Sequence, residues 1–396
     1  MKALRTLGLR ATLVLAVALN ALGCTSDTSG ATAAVTTDYA LRNELRALLT
    51  EHGTWTRAVI IDMAAGLPDT AFATQRLLRN QVEVADALRP YLGDAVADAL
   101  RSRLIDHVTG LAALINAAKS ADGEAIAARY TEWYANADQV AALLAEANPR
   151  WPRAELTAML RAYLDQTLVE AEARLTMNWR GDVAAHDALA VQALKLADAL
   201  AAGVTAGFPY LVATSTMPQG SQGLHRAMRA RWHDQVAWTR FALIDALAGL
   251  PAAEQSTARL LQQQDDLGDA FKPYYGEESG GRLASLLRDH ITGAAALIFA
   301  TNFGDESAVE AARVAWYANA DQIAALLAAA NPHWSQTELE ATLRAHLDRT
   351  LAQAEARAAG DWALDVTTYD ALVRHVLELA DALSEGIARQ FPDRVR

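Results

Sequence analysis

Polar side chains set into otherwise apolar helical stripes are the residues of this sequence best placed to do chemistry. His52 shares a stripe with Leu45, Trp55, Thr56, Val59 and Met63, and His107 interrupts the run Leu100, Leu104, Val108, Leu111, Leu114 and Ile115. Tyr163 falls among Leu156, Met159, Leu160 and Thr167, His186 opens a long helical run, and Asn136 lies one turn from Trp133. Spacings of three and four put such residues on the inward face of a helix. Neutral imidazole is a common ligand of transition metals, so His52, His107 and His186 acting together would make a metal or haem site in a redox protein. Hydrogen bonding among the same residues would instead make a polar network that fixes the register of the helices.

The chain carries each of these positions twice. The run from Trp133 to Gln139 recurs letter for letter from Trp316 to Gln322, an offset of 183 residues. That offset carries Trp55-Thr56-Arg57 onto Trp238-Thr239-Arg240, His107 onto His290, Asn136 onto Asn319, and Trp179 onto Trp362, with no gap. It also sets Gln235 against His52, His346 against Tyr163 and Tyr369 against His186. Glutamine and tyrosine keep hydrogen bonding better than they keep metal coordination, which favours the network and leaves the metal site as the alternative. No cofactor is expected.

Carboxylates are shared as well: Asp62/Asp245, Asp86/Asp269, Asp138/Asp321, Asp165/Asp348 and Asp198/Asp381. Ion pairs and solvated faces are the default for such groups, with Arg57/Arg240 as candidate partners; acid–base catalysis on them is a further alternative, with no catalytic residue assigned. A phosphate-binding glycine loop, His-Glu-x-x-His, Gly-x-Ser-x-Gly and Cys-x-x-Cys-His are all missing from the sequence. His375 and Glu378 lie one helical turn apart but have no counterpart in the first copy, and are read as a surface pair.

The elements that must position these groups are helices. Breakers fall at Gly66-Leu67-Pro68 and Gly249-Leu250-Pro251, at Pro90 to Gly93 and Pro273 to Gly276, and at Asn148-Pro149 and Asn331-Pro332. Ser335 and Glu338 have capping-box spacing, and Pro152 marks the same boundary in the first copy. Alternating strand patterns are lacking. The expectation is an all-α protein of two tandem homologous helical bundles, residues 39–209 and 224–396, with about six helices each and a linker at 210–223. Each bundle is expected to own its core, with few apolar contacts between the two.

The runs Trp-Thr-Arg, Leu-Leu-Arg-Asn-Gln, Pro-Tyr-Tyr-Gly and Trp-Tyr-Ala-Asn-Ala-Asp resemble an uncharacterised family of bacterial all-helical proteins. The resemblance covers both copies and implies the fold, not an activity.

The N-terminus sets the surroundings. Lys2, Arg5 and Arg10 precede an apolar run from Ala11 to Leu22, the pattern of an export signal over residues 1–23. Ala21-Leu22-Gly23-Cys24 resembles the bacterial lipobox, with Ala21 where leucine is usual, so Cys24, the sole cysteine, is the expected lipidation site. Residues 24–38 are small and polar and read as a flexible tether. No later stretch is expected to span a bilayer. The formal charge of −12 argues against a nucleic-acid partner.

These features together describe a lipoprotein anchored on the extracytoplasmic side of a bacterial membrane, periplasmic or at the cell surface. It would be a non-enzymatic binding or interaction module, with a small molecule or another envelope protein as partner.

Overall fold

The computed structural model describes residues 36–303 and 305–396; the expected export signal, Cys24 and most of the expected tether lie outside the described residues. The described chain is all-α, with eleven helices. The first copy contributes α1 (Asp38–Ala65), α2 (Thr70–Leu92), α3 (Asp94–Lys119), α4 (Gly123–Ala147), α5 (Arg153–Leu175) and α6 (Trp179–Gly207). The second contributes α7 (Gln219–Leu247), α8 (Ala253–Phe303), α9 (Glu306–Ala330), α10 (Gln336–Ala358) and α11 (Trp362–Gln390).

Helix α8 does the work of two. Gly276 breaks it at φ 84°, ψ 168°, and Gly93 separates α2 from α3 at φ 78°, ψ 165°. Positive φ is open to glycine at little cost, which is why both copies turn at the same position. Each copy therefore holds six helical segments. Side-chain caps define several starts: Asp122, Asp305 and Ser335 accept from the amides of Ala125, Ala308 and Glu338.

Two short strands correct the sequence reading, which had none. Strand β1 (Thr36–Thr37) pairs in parallel with β2 (Val212–Ala213), joining the end of the assigned tether to the assigned linker. The linker also gives its last residues to α7, which begins at Gln219.

The two copies do not stand apart as expected. Residues Thr36–Arg396 form one compact unit. Trp55, Val59 and Leu77 of the first copy share a core with Tyr369, Val373 and Val376 of the second, and Ile61 is buried among Trp238, Phe241 and Ile244. The cause lies in the breadth of the buried face. Twelve consecutive positions of α1 around Trp55, from Glu51 through Asp62, are all buried, which takes neighbours on every side rather than on one stripe.

Contacts across the copies are reciprocal. Arg57 lies 5.0 Å over the ring of Trp238, and Arg240 lies 4.4 Å over the ring of Trp55. Arg76 pairs with Asp370 at 2.9 Å, and its repeat equivalent Arg259 pairs with Asp187, equivalent to Asp370, also at 2.9 Å. Position i meeting j while j meets i is the mark of an isologous, two-fold interface, here built within one chain.

A further correction concerns membrane-spanning length. By length and composition α6 and the segment Ala253–Thr301 of α8 are apolar enough to cross a bilayer. In α6 that character serves the bundle, where Leu189, Ala193, Leu196, Leu200 and Val204 are buried.

Candidate functional site

Four of the polar residues singled out by their stripes converge. His52 on α1, His107 on α3, Asn136 on α4 and Tyr163 on α5 line one cavity of about 60 Å³ inside the first copy. Gln81 on α2 joins them, a residue the stripes did not mark. Its side-chain amide donates to His52 Nδ1 at 2.9 Å and to the carbonyl of Leu77, one helical turn earlier, at 2.9 Å. The rest of the wall is apolar, including Leu49, Val84, Val140 and Leu196.

The rings are layered across the site. His107 stacks on Trp133 at 5.0 Å between centroids, His52 lies 5.8 Å from His107, and Tyr163 lies 5.5 Å from His52. Trp133 Nε1 donates to the carbonyl of His107 at 2.9 Å, so α4 fixes α3 at the cavity floor. Asn136 uses its amide to donate to the carbonyl of Arg103 at 3.0 Å.

Polar atoms here are left short of partners. Asn136 Oδ1 is buried without a hydrogen-bond partner among the described residues, and the Tyr163 hydroxyl has at most a weak bond to Thr56. His107 and Asn136 make no hydrogen bond to each other; Asn136 is engaged with the carbonyl of Arg103. Burial pushes His52 down to about 4 and His107 down to about 3, the nearby His52 adding to the effect on His107. Both imidazoles are therefore neutral at physiological pH, each offering one donor and one acceptor. No charged side chain lines the cavity.

The second copy closes the equivalent space. Trp232 stands where the first copy has Leu49, Leu267 where it has Val84, and Ile323 where it has Val140. All three are buried in one apolar cluster. His290 Nδ1 donates to Asn319 Oδ1 at 3.0 Å, making the bond that the first copy leaves open. Gln235 bonds Gln264, and His346 is buried 6.2 Å from His290 between ring centroids. These are two separate pairs rather than one network, and His346 Nδ1, Gln264 Oε1 and Trp316 Nε1 are buried without a hydrogen-bond partner among the described residues. His375, read as half of a surface pair with Glu378, is instead half-buried, with Nε2 donating to the carbonyl of Thr342 at 2.9 Å.

A second cavity, of about 260 Å³, lies between α7, α8 and α10. Ala242, Ala246 and Ala294 open it where the first copy has Val59, Met63 and Leu111. Threonines supply its only side-chain hydrogen-bonding groups, and two of them, Thr239 and Thr350, donate to carbonyls of their own helices.

His186 and Tyr369 are placed elsewhere. His186 sits between copies, 3.3 Å from Glu170 and edge-on to Trp238 and Phe241. Its equivalent Tyr369 packs edge-on to Trp55. The histidine set His52, His107 and His186 is therefore not assembled, because the start of α6 faces the other copy rather than the bundle interior. Among the described residues no group of three or more histidine, cysteine or acidic side chains could hold a metal ion.

The shared aspartates are spread along the molecule. Asp138 and Asp321 pair with Arg161 and Arg344, Asp198 and Asp381 with Arg46 and Arg229, and Asp165 and Asp348 accept from Tyr134 and Tyr317. Arg57 and Arg240 bind none of them; they grip Asp182 at 2.8 Å and Asp365 at 3.0 Å. Arg57 also holds Glu170 at 2.7 Å. Arg174 then bridges Asp182 to Asp245 of the second copy, and Arg357 bridges Asp365 to Asp69 of the first. This buried ionic seam was missed by the sequence reading, although the spacing of Arg174/Arg357 and Asp182/Asp365 obeys the repeat offset.

No family model, curated protein or solved structure matches the chain.

Proposed function

We propose that this protein is a non-enzymatic binding module of the cell envelope, tethered to a membrane through lipid on Cys24, and that its ligand site is the interior cavity of the first copy. The observation that carries this is the unpartnered Asn136 Oδ1, with the weakly bonded Tyr163 hydroxyl beside it, on a cavity whose Leu49 is replaced by the larger Trp232 in the second copy. Buried polar atoms are costly unless bonded, by roughly 1–3 kcal/mol each, so a molecule that bonds them is favoured there. The absence of charged wall residues and the neutral imidazoles suit a small uncharged molecule carrying both donor and acceptor groups.

The test is to purify the full chain from host membranes and identify by mass spectrometry the small molecules it retains. One compound at near-stoichiometric level, missing from the Leu49→Trp variant, is the expected result. A clean wild-type protein whose cavity holds only solvent would overturn the assignment. Stoichiometric metal that disappears with His107→Leu would promote the metal-site alternative in its place. Cys24→Ala should move the protein from the membrane to the soluble fraction.

A further inference from the structure

A third cavity, of about 30 Å³, lies where α1 and α7 cross. Its lining is self-paired under the repeat offset: Arg46 is matched by Arg229, Asn43 by Arg226, Leu194 by Leu377, and the remaining residues likewise. A cavity lined by both members of every equivalent pair lies on the two-fold axis that relates the copies.

Charge does not balance there. Arg46 from α1 and Arg226 and Arg229 from α7 line this crossing, and Arg42 of α1, outside the lining, is close enough to Arg226 to repel it, in a chain of net charge −12. Arg46 binds Asp198 through two bonds of 2.6 Å, and Arg229 binds Asp381 at 2.6 Å. Arg42 reaches the already engaged Asp198 only at 3.9 Å, and its Nε is buried without a hydrogen-bond partner. Arg226 has no ion pair among the described residues; its one hydrogen bond is to neutral Gln222 at 3.4 Å. Glu385 nearby is engaged by Arg389 at 2.8 Å. Two cations are thus in surplus, and burial together with Arg46 and Arg42 lowers the Arg226 pKa, the response of a cation held among cations.

We propose that this axial cleft is an anion site for a doubly charged phosphate group, held by Arg226 between Arg46 and Arg229, with Arg42 adding its charge from nearby. Two surplus charges match a dianion, and the planar guanidinium fork suits phosphate oxygens. The volume of about 30 Å³ holds roughly two waters at 10–15 Å³ each, less than a whole phosphate, so the anion would sit at the mouth with some of its oxygens, and any organic part of a monoester, in solvent. Because the cationic residues come from both copies, the bound anion ties α1 to α7. The site is independent of the interior cavity of the first copy.

The experiment is thermal unfolding of the full chain at constant ionic strength, with chloride exchanged stepwise for inorganic phosphate. The expected result is a melting temperature that rises and saturates as sites fill. Sulfate and phosphate also strengthen burial generally, but without saturation. Arg226→Gln should raise the apparent phosphate Kd at least roughly tenfold. Arg42→Gln should weaken binding in the same direction and serves if the first variant does not fold. Arg344→Gln, at an exposed side chain that pairs with Asp321 and lies over the Tyr317 ring outside the cleft lining, should leave binding unchanged. Phenyl phosphate binding as tightly as phosphate, or tighter, identifies a monoester as the source; weaker binding identifies the free ion. An unsaturable shift, or a saturable one equal in wild type and both cleft variants, overturns the proposal.

Discussion

Glu51 of α1 and His233 of α7 meet at 2.5 Å across the boundary between the copies, both buried. Burial alone would push Glu51 up and His233 down. Their mutual hydrogen bond and charge, with Arg76 assisting Glu51, outweigh it, so Glu51 ends below its usual range and His233 above. The repeat equivalents are Asp234 and Thr50, so the pair exists on one side of the axis only.

His233→Gln should therefore destabilise the protein by about 3–5 kcal/mol near pH 6, the usual cost of breaking a buried pair. The sign with pH follows from linkage. The raised His233 pKa contributes stability fully below its unfolded value near 6.5, and that contribution is lost as the pH rises through the folded value. The gap between wild type and variant, measured by denaturant unfolding, should accordingly narrow at alkaline pH. A gap constant from pH 6 to 10 would show that the imidazole is not charged in the fold.

Acid should act through the cavity histidines. His52 and His290 are pushed down to about 4 by burial, and His107 and His346 to about 3. Between pH 6.5 and those values the unfolded chain binds protons that the folded chain refuses. Stability then falls with decreasing pH by up to about 1.4 kcal/mol per pH unit for each imidazole. His107→Leu should remove one such contribution and flatten the acid limb of a stability profile; an unchanged slope would mean that His107 titrates normally.

Equivalent aspartates should respond with opposite signs. Asp245 is ion-paired to Arg174, whereas neither carboxylate oxygen of Asp62 has a hydrogen-bond partner among the described residues. Burial, then Asp69, raises the Asp62 pKa. A raised acid costs stability as the pH climbs above its unfolded value, so Asp62→Asn should stabilise at neutral pH, and Asp245→Asn should destabilise by about 3 kcal/mol. Chemical denaturation of the two variants side by side tests this, and a destabilised Asp62→Asn would refute it.

Exchange of the plug should be tolerated in one direction. The first copy pairs Leu49 with the smaller Val84 and Val140, so Leu49→Trp has room and should melt within a few degrees of wild type. Trp232→Leu leaves a void among larger neighbours and should cost about 2–4 kcal/mol. Thermal unfolding of both variants decides it.

Much of this was legible from the residues. Repeat offset, apolar period and breakers together mark the all-α class and the helix ends, because Gly93 and Gly276 sit where only a left-handed backbone turns the chain. His52, His107, Asn136 and Tyr163 could be singled out because each is one polar side chain on an apolar stripe. Gln81 was missed although it interrupts a stripe of the same kind, Ala73, Leu77, Val84, Ala85 and Leu88, because the adjacent Arg79 and Asn80 make that part of α2 read as polar. The joining of the copies was illegible for a different reason. A stripe says that Trp55 and Arg57 are buried, not against which copy, and both bury against the other copy. His186 misled in the same way: its imidazole shares a core face, but that face belongs to the seam.

Each copy begins and ends at one place. Thr36–Thr37 pairs with Val212–Ala213, and at the repeat-equivalent positions the Gly220 amide donates to the carbonyl of Arg396 at 3.2 Å. The six residues from Ala213 to Gln219 span at most about 20 Å, so all four copy ends gather at one pole of the molecule. Chain order is then a matter of which short bridge is left uncut: joining Arg396 to Thr36 and opening the chain between Ala213 and Gln219 would give a circular permutant with the copies in reverse sequence. For the native chain the same geometry puts Thr36 and Arg396 at one pole, with the opposite ends of the helices farthest from both chain ends of the compact unit.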